Sequence, residues 1–154
     1  MSSVVDRLFL ETTVEFAERG LFTCAPNPRV GCLLVRDGQV LGRGAHLWRG
    51  EAHAEINALR DADTEVKGAT AYVSLEPCSI HGETPPCADA LIDAGIKRVV
   101  APMVDPNPRV NGDGFDRLKN AGVQVDVNDL PEAKELNRGW IKRMQTGRPW
   151  VRIK

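Results

Sequence analysis

The sequence has little net charge, no long apolar run and few cysteines, and each shortage removes a class of protein. Twenty Lys and Arg stand against 21 Asp and Glu, 20 − 21 = −1, so no overall field draws the chain to DNA, RNA or an anionic membrane. The longest apolar stretch, 30–35 with its glycine counted, is far short of the roughly 20 residues that a membrane span needs. No apolar segment follows Met1 as in a signal peptide. A soluble, cytoplasmic protein is expected. Four cysteines in 154 residues do not make a disulfide scaffold, and in a reducing compartment they read as buried thiols or metal ligands. What is present, 42% hydrophobic and 27% charged residues, suits one globular domain able to bury roughly two-thirds of the surface that it exposes when unfolded. The chain therefore reads as a single domain over 1–154.

Leu8, Phe9, Thr12, Phe16 and Ala17 recur at helical spacing and Gly20 follows as a stop, which predicts a helix over 6–19. Two strand-like runs, 30–36 and 39–45, are joined by Asp37-Gly38, a pair suited to the positive φ angles of a tight antiparallel hairpin. Downstream, helices near 51–62, 88–94 and 115–121 alternate with strands at 70–75, 98–101 and 123–127. Such alternation implies parallel pairing through right-handed crossovers. Pro131 opens a last helix running toward Met144, and 150–153 is expected to be extended. The class is α/β with a mixed, mostly parallel sheet. Pro26-Asn27-Pro28-Arg29-Val30 and Pro106-Asn107-Pro108-Arg109-Val110 echo each other. Each taken alone is a Pro-Asn turn. Read functionally, the two turns sit at strand ends and hold Asn27 and Asp105 over a ligand in the crevice where α/β proteins bind.

Chemistry is concentrated in His53-Ala54-Glu55, in Pro77-Cys78, and in Cys87 after Pro85-Pro86. One imidazole and two thiols match the three protein ligands of a catalytic zinc, whose fourth position is left to water. Cys87 at a helix N-terminus meets a local positive potential that lowers thiol pKa, favouring the thiolate that a metal needs. Zinc brings the pKa of its water to near ~7 from about 15.7, and Glu55 is placed to carry the proton from that water to a departing amine. His53 and Glu55 are two residues apart, so both reach one site only if the helix begins within or just before this motif. His-x-Glu followed by Pro-Cys and a second cysteine is the zinc nucleobase-deaminase pattern, although eight residues rather than two separate Cys78 from Cys87.

Asn27-Pro28-Arg29-Val30-Gly31-Cys32, His53-Ala54-Glu55, Leu75-Glu76-Pro77-Cys78-Ser79, Gly82, Thr84-Pro85-Pro86-Cys87-Ala88, Asp105-Pro106-Asn107-Pro108 and Glu135-Leu136-Asn137 together resemble the N-terminal deaminase domain of the bifunctional riboflavin-biosynthesis deaminase/reductase. That domain is a branch of the cytidine-deaminase-like superfamily. The resemblance covers essentially the whole chain. It implies a three-layer α-β-α fold, a homodimer or larger homo-oligomer, and hydrolytic deamination of a diaminohydroxyphosphoribosylaminopyrimidine to the aminouracil with release of ammonia. By the same resemblance His53, Cys78 and Cys87 hold Zn2+, Glu55 shuttles the proton, and Asn27, His46, Asp105 and Lys154 surround the substrate. No reductase domain is expected within 1–154: the chain reads either as a single-domain deaminase, with a separate reductase as candidate partner, or as one part of a longer protein.

The loop between the cysteines departs from this family. Ile80 stands where a histidine is common, and Glu83 where a Lys or Arg follows the glycine. A carboxylate in place of a cation repels a phosphate, so the alternative substrate is an unphosphorylated or modified aminopyrimidine or nucleobase. Arg29, Arg49 and Arg109 are surface charges by default, and each is a candidate replacement for the loop cation. A base in tRNA is disfavoured by the near-neutral charge, and a non-catalytic zinc brace by the intact Glu55. Cys24 and Cys32 read as buried thiols. His81 reads as a non-ligand, since His53 already completes a three-ligand set. Trp140, Trp150 and Phe115 read as core or interface, and Leu136, Trp140, Ile141 and Met144 as a stripe packing on the sheet or a partner chain.

Overall fold

The computed structural model describes residues 3–81, 85–151 and 153. Its elements are α1 (Val4–Ala17) with a 3-10 turn (Glu18–Gly20), β1 (Gly31–Arg36), β2 (Gln39–Ala45), α2 (Ala54–Asp61), β3 (Thr70–Val73), α3 (Cys87–Asp93), β4 (Arg98–Ala101), α4 (Asp113–Asn120), β5 (Gln124–Val127), α5 (Pro131–Leu136) and α6 (Arg138–Thr146). The first helix starts two residues ahead of the predicted position because Ser3 caps it. The Asp6 N–H donates to Ser3 Oγ at 3.0 Å and Ser3 N–H reaches Asp6 Oδ2 at 3.5 Å, a reciprocal box worth about 1 kcal/mol.

Five strands form one sheet in the order β2-β1-β3-β4-β5. β1 is antiparallel to both β2 and β3, whereas β3–β4 and β4–β5 are parallel. The sheet is mixed as expected, but its pairings divide evenly and parallel contacts do not predominate. The crossover through α2 does return β3 parallel to β2, yet it lands on the far side of β1, which is therefore opposed to both neighbours.

Both faces of the sheet are covered, giving three layers. Leu10 and Val14 of α1, with Leu130 and Ala133, pack on Leu33, Val35, Tyr72 and Val100. Ala54, Ala58, Leu91, Phe115 and Leu118 of α2, α3 and α4 pack on Cys32, Leu34, Val73 and Val99 from the other side. Alternate residues of β1 thus enter opposite cores, as the two-residue period of a strand requires. Cys24 and Cys32 are buried free thiols, and Phe115 is core. Backbone closeness sets where α2 begins: a Cβ on Gly44 would lie 2.1 Å from the Ala54 carbonyl oxygen, so only glycine lets the first turn of α2 rest on β2.

The helix predicted from Pro131 toward Met144 is two helices, α5 and α6, meeting at Asn137. Asn137 is buried, and its side chain is taken up by another segment. No strand forms among residues 150, 151 and 153. Trp150 instead lies against α6, with Arg138 at 4.9 Å and Lys142 at 5.4 Å from its ring centre.

One buried carboxylate ties α1 to the sheet. Asp6 accepts from Arg98 Nη1 and Nη2 at 2.8 and 2.9 Å and from the Tyr72 hydroxyl at 2.7 Å, and the Arg98 bond holds its pKa well below the usual 3.8. A group with a depressed folded pKa stabilises the protein above its unfolded value, and this stabilisation fades as pH falls toward the folded one. Thermal melts between pH 5 and pH 2 are expected to show a falling midpoint. In Asp6→Asn this fall is expected to be shallower, and an unchanged slope would remove Asp6 as a cause.

Candidate active site

A cleft of ≈ 520 Å³ opens at the carboxyl ends of β3 and β4, the usual binding edge of an α/β sheet. Because β1 is antiparallel to β3, the segment entering β1 lies at the same edge. Both Pro-Asn turns therefore line the cleft, the first through Asn27 and Pro28 and the second through Asn107 and Val110, with Asp105 beside it.

α2 begins at Ala54 with His53 as its N-cap in an extended conformation, so the helix starts inside the His-x-Glu motif and both side chains reach the cleft. His53 Nδ1 lies 3.2 Å from Cys87 Sγ and 3.5 Å from Cys78 Sγ. The three ligand atoms all fall within 4.8 Å of one another. Around a tetrahedral zinc the N···S edge would be about 3.6 Å and the S···S edge about 3.8 Å, from bond lengths of ~2.05 and ~2.3 Å. The donor set fits the metal. Among the described residues no other group of three or more His, Cys, Asp or Glu side chains makes such a cluster.

The two thiols are shifted in opposite directions. Cys78 is pulled down to about 4, first by the Cys87 side chain and also by His53, and the Cys87 N–H at the start of α3 donates to Cys78 Sγ at 3.3 Å. Cys87 is pushed up by the same neighbour and by burial. The sequence placed the helix-terminus effect on Cys87, but the N–H that carries it points at Cys78. His53 is raised, first by its bond to Cys78. Glu55, 3% exposed, is raised to about 7 by burial, with the Cys78 charge adding to the shift.

His46, directly after β2, is buried. Its Nδ1 lies 3.2 Å from the Ala52 carbonyl and its Nε2 3.1 Å from Asn27 Nδ2. A carbonyl only accepts, so Nδ1 carries the proton. Burial lowers the ring's pKa and keeps it neutral, so Nε2 accepts from the Asn27 amide. That leaves Asn27 Oδ1 as the acceptor of this side chain without a partner among the described residues. Asp105 is raised to about 6, first by burial, and accepts the Asn107 N–H at 2.7 Å. His81 is exposed and outside the ligand cluster. Glu83 and Lys154 lie outside the described residues.

Three contributors were missed from sequence. Glu76, 3% exposed, accepts the N–H groups of Asp105, Gly112, Gly114 and Phe115 at 2.8, 3.0, 2.9 and 3.4 Å, clamping the second Pro-Asn turn. Asn137 clamps the first: Arg29 N–H donates to its Oδ1 at 2.8 Å and its Nδ2 donates to the Arg29 carbonyl at 2.7 Å. α6 is the third, since Trp140 and Met144 face the cleft and not the sheet, while Leu136 packs on the core around α1. The Glu-Leu-Asn and Leu-Glu-Pro strings pointed to the two clamps, but nothing local in them names a partner. Asn137→Ala strands two backbone groups and is expected to cost about 2–4 kcal/mol, read as a lower melting midpoint; a change within 0.5 kcal/mol would show that the clamp is dispensable.

The sequence profile described as the cytidine and deoxycytidylate deaminase zinc-binding region matches residues 3–103. The chain belongs to this family. It is 53% identical over 150 residues to the riboflavin biosynthesis protein RibD of Escherichia coli (strain K12), which covers 97% of this chain and 41% of that protein. It is 45% identical over 145 residues to the diaminohydroxyphosphoribosylamino-pyrimidine deaminase of Buchnera aphidicola subsp. Schizaphis graminum (strain Sg), 94% of this chain and 99% of that protein. Among solved structures, Acinetobacter baumannii RibD superposes with a TM-score of 0.92 at 48% identity, covering 96% of this chain and 42% of that one. The chain thus spans about two-fifths of the length of the two RibD proteins. The family is a zinc-binding one, in agreement with the fit of His53, Cys78 and Cys87. No helix among the described residues is long and apolar enough to cross a membrane.

Proposed function

We propose that this protein hydrolyses the ring amine of a diaminohydroxyphosphoribosylaminopyrimidine to the corresponding aminouracil and ammonia, in riboflavin biosynthesis. The observation that carries the reading is the placement of a buried carboxyl, Glu55, beside the His53/Cys78/Cys87 centre. The substrate follows from the name of the Buchnera protein, matched over 99% of its length. When bound, zinc supplies the Lewis acidity that makes water a nucleophile at neutral pH. Glu55 takes the proton of the attacking water and returns it to the leaving nitrogen. A C–O bond forms, the C–N bond breaks, and water plus amine become carbonyl plus ammonia.

Asn27 Oδ1, its orientation held by neutral His46, accepts from a ring amine, and the Asp105 carboxyl binds a second polar edge. Lys154 belongs to the same reading as a substrate contact. Residues 1–154 act as one deaminase domain in the cytoplasm, where four free thiols stay reduced, and the product passes to a reductase. A homodimer or larger homo-oligomer completes the proposal. Exposed Phe22 and Trp48, on segments joined by the Thr23–Leu47 hydrogen bond, support it as apolar surface in need of cover.

The test is ammonia release from the phosphorylated pyrimidine by zinc-loaded protein, with zinc content measured beside it. Activity with about one zinc per chain is expected, falling together with metal content in Cys87→Ser. Full zinc retention in that variant would take Cys87 out of the ligand set, and no turnover by the wild-type protein would end the functional reading.

A further inference from the structure

The substrate proposed above carries a phosphate, yet Glu83 replaces the cation that the resemblance puts in the loop between the cysteines. Another group must then meet that phosphate. Of the three arginines left open by the sequence, Arg29 is committed, its Nη1 donating to the Leu136 carbonyl at 2.9 Å. Arg109 lines a separate depression beside Asp113 and Asp116. Arg49 lines the cleft, and α6 adds Arg143, one turn beyond Trp140.

Arg49 and Arg143 are the two cations on the cleft wall among the described residues, and neither forms an ion pair there. Three of the wall's four carboxylates are otherwise placed. Glu76 is consumed by four N–H groups, Glu55 is buried beside His53, and Asp105 is buried on the Asn107 N–H. Glu51 stands exposed at the mouth without an ion-pair partner among the described residues. Two unneutralised guanidinium groups at the mouth of a cleft whose floor carries the reaction centre suit a ligand with its reacting ring inside and its anion outside. The planar fork of arginine pairs with phosphate oxygens bidentately.

We propose that Arg143, together with Arg49, binds the substrate's phosphate, so that α6 supplies the anion recognition missing from the cysteine loop. This rests on the functional reading above for the ring that reacts, but the anion site is testable without it. Ammonia release is measured on the phosphorylated pyrimidine and on its dephosphorylated form, and the ratio of the two kcat/KM values is the readout. Arg143→Ala and Arg49→Ala are each expected to lower that ratio roughly 10- to 100-fold, the range of a lost charge-assisted bond. The loss falls on KM, with part of it recovered in Arg143→Lys. Arg109→Ala, outside the cleft, leaves the ratio unchanged. Ribose 5-phosphate titrated into the zinc-loaded protein by calorimetry reads the anion site directly, and its binding is expected to vanish in the Arg49→Ala/Arg143→Ala double variant. Unchanged ratios in the arginine variants, or ribose 5-phosphate binding that is absent from wild type or intact in the double variant, would overturn the proposal. If wild type deaminates neither pyrimidine but binds the sugar phosphate through these arginines, the functional reading alone fails.

Discussion

Glu55→Gln is expected to lower turnover by a factor on the order of 10² to 10⁴, the usual worth of a positioned acid/base group, while leaving fold and zinc content as they are. The amide matches the carboxyl in size and sits in the first turn of α2, where its remaining oxygen can still accept a backbone N–H. It cannot accept and return a proton, and both halves of the deamination need that transfer. Melting curves and metal analysis should superpose on wild type as the rate collapses. A variant with undiminished turnover would assign the proton transfer to another group and leave Glu55 as a neighbour of the metal.

Glu76→Ala is expected to give the largest loss of stability of any cleft substitution discussed. Its carboxylate satisfies four backbone N–H groups from 105–115, in a region so tight that a Cβ on Gly114 would lie 1.9 Å from the Pro77 carbonyl oxygen. Bonds to a charged acceptor are worth about 1.5–3 kcal/mol each, and they do not add fully. A loss of at least ~4 kcal/mol follows, or a fall of about 10 °C or more in melting midpoint at this chain length. Glu76→Gln keeps one acceptor oxygen and should fall between. A midpoint within 2 °C of wild type for the alanine variant would show that the loop is held by other contacts.

Local chemistry was legible where a residue's partners are its neighbours in sequence. Asp37-Gly38 announced the β1–β2 hairpin, and the His-x-Glu, Pro-Cys and Cys strings the residues that converge as a candidate metal site. Topology was legible only in part, because alternation of strand and helix says that a crossover returns parallel but not which strand it passes over; β1 between β2 and β3 is set by packing. The break at Asn137 was hidden for a related reason. Its side chain serves Arg29, 108 positions away, and nothing in the periodicity of 131–144 registers so distant a demand. Glu76 could be seen in a motif, but its four partners are amides of another loop. Trp140 and Met144 follow the spacing of a core stripe, and apolar spacing does not distinguish a core from the wall of a cleft.

The zinc-binding region of the family ends near residue 103, and α6 begins at Arg138. Part of the cleft wall, Trp140, Arg143 and Met144, is therefore carried by a stretch of chain outside the zinc-binding region, held through the buried Asn137. If α6 binds the anion as proposed, drift along 138–146 is expected to change selectivity while His53, Glu55, Cys78 and Cys87 stay as they are, and exchanging that helix between relatives reads this directly.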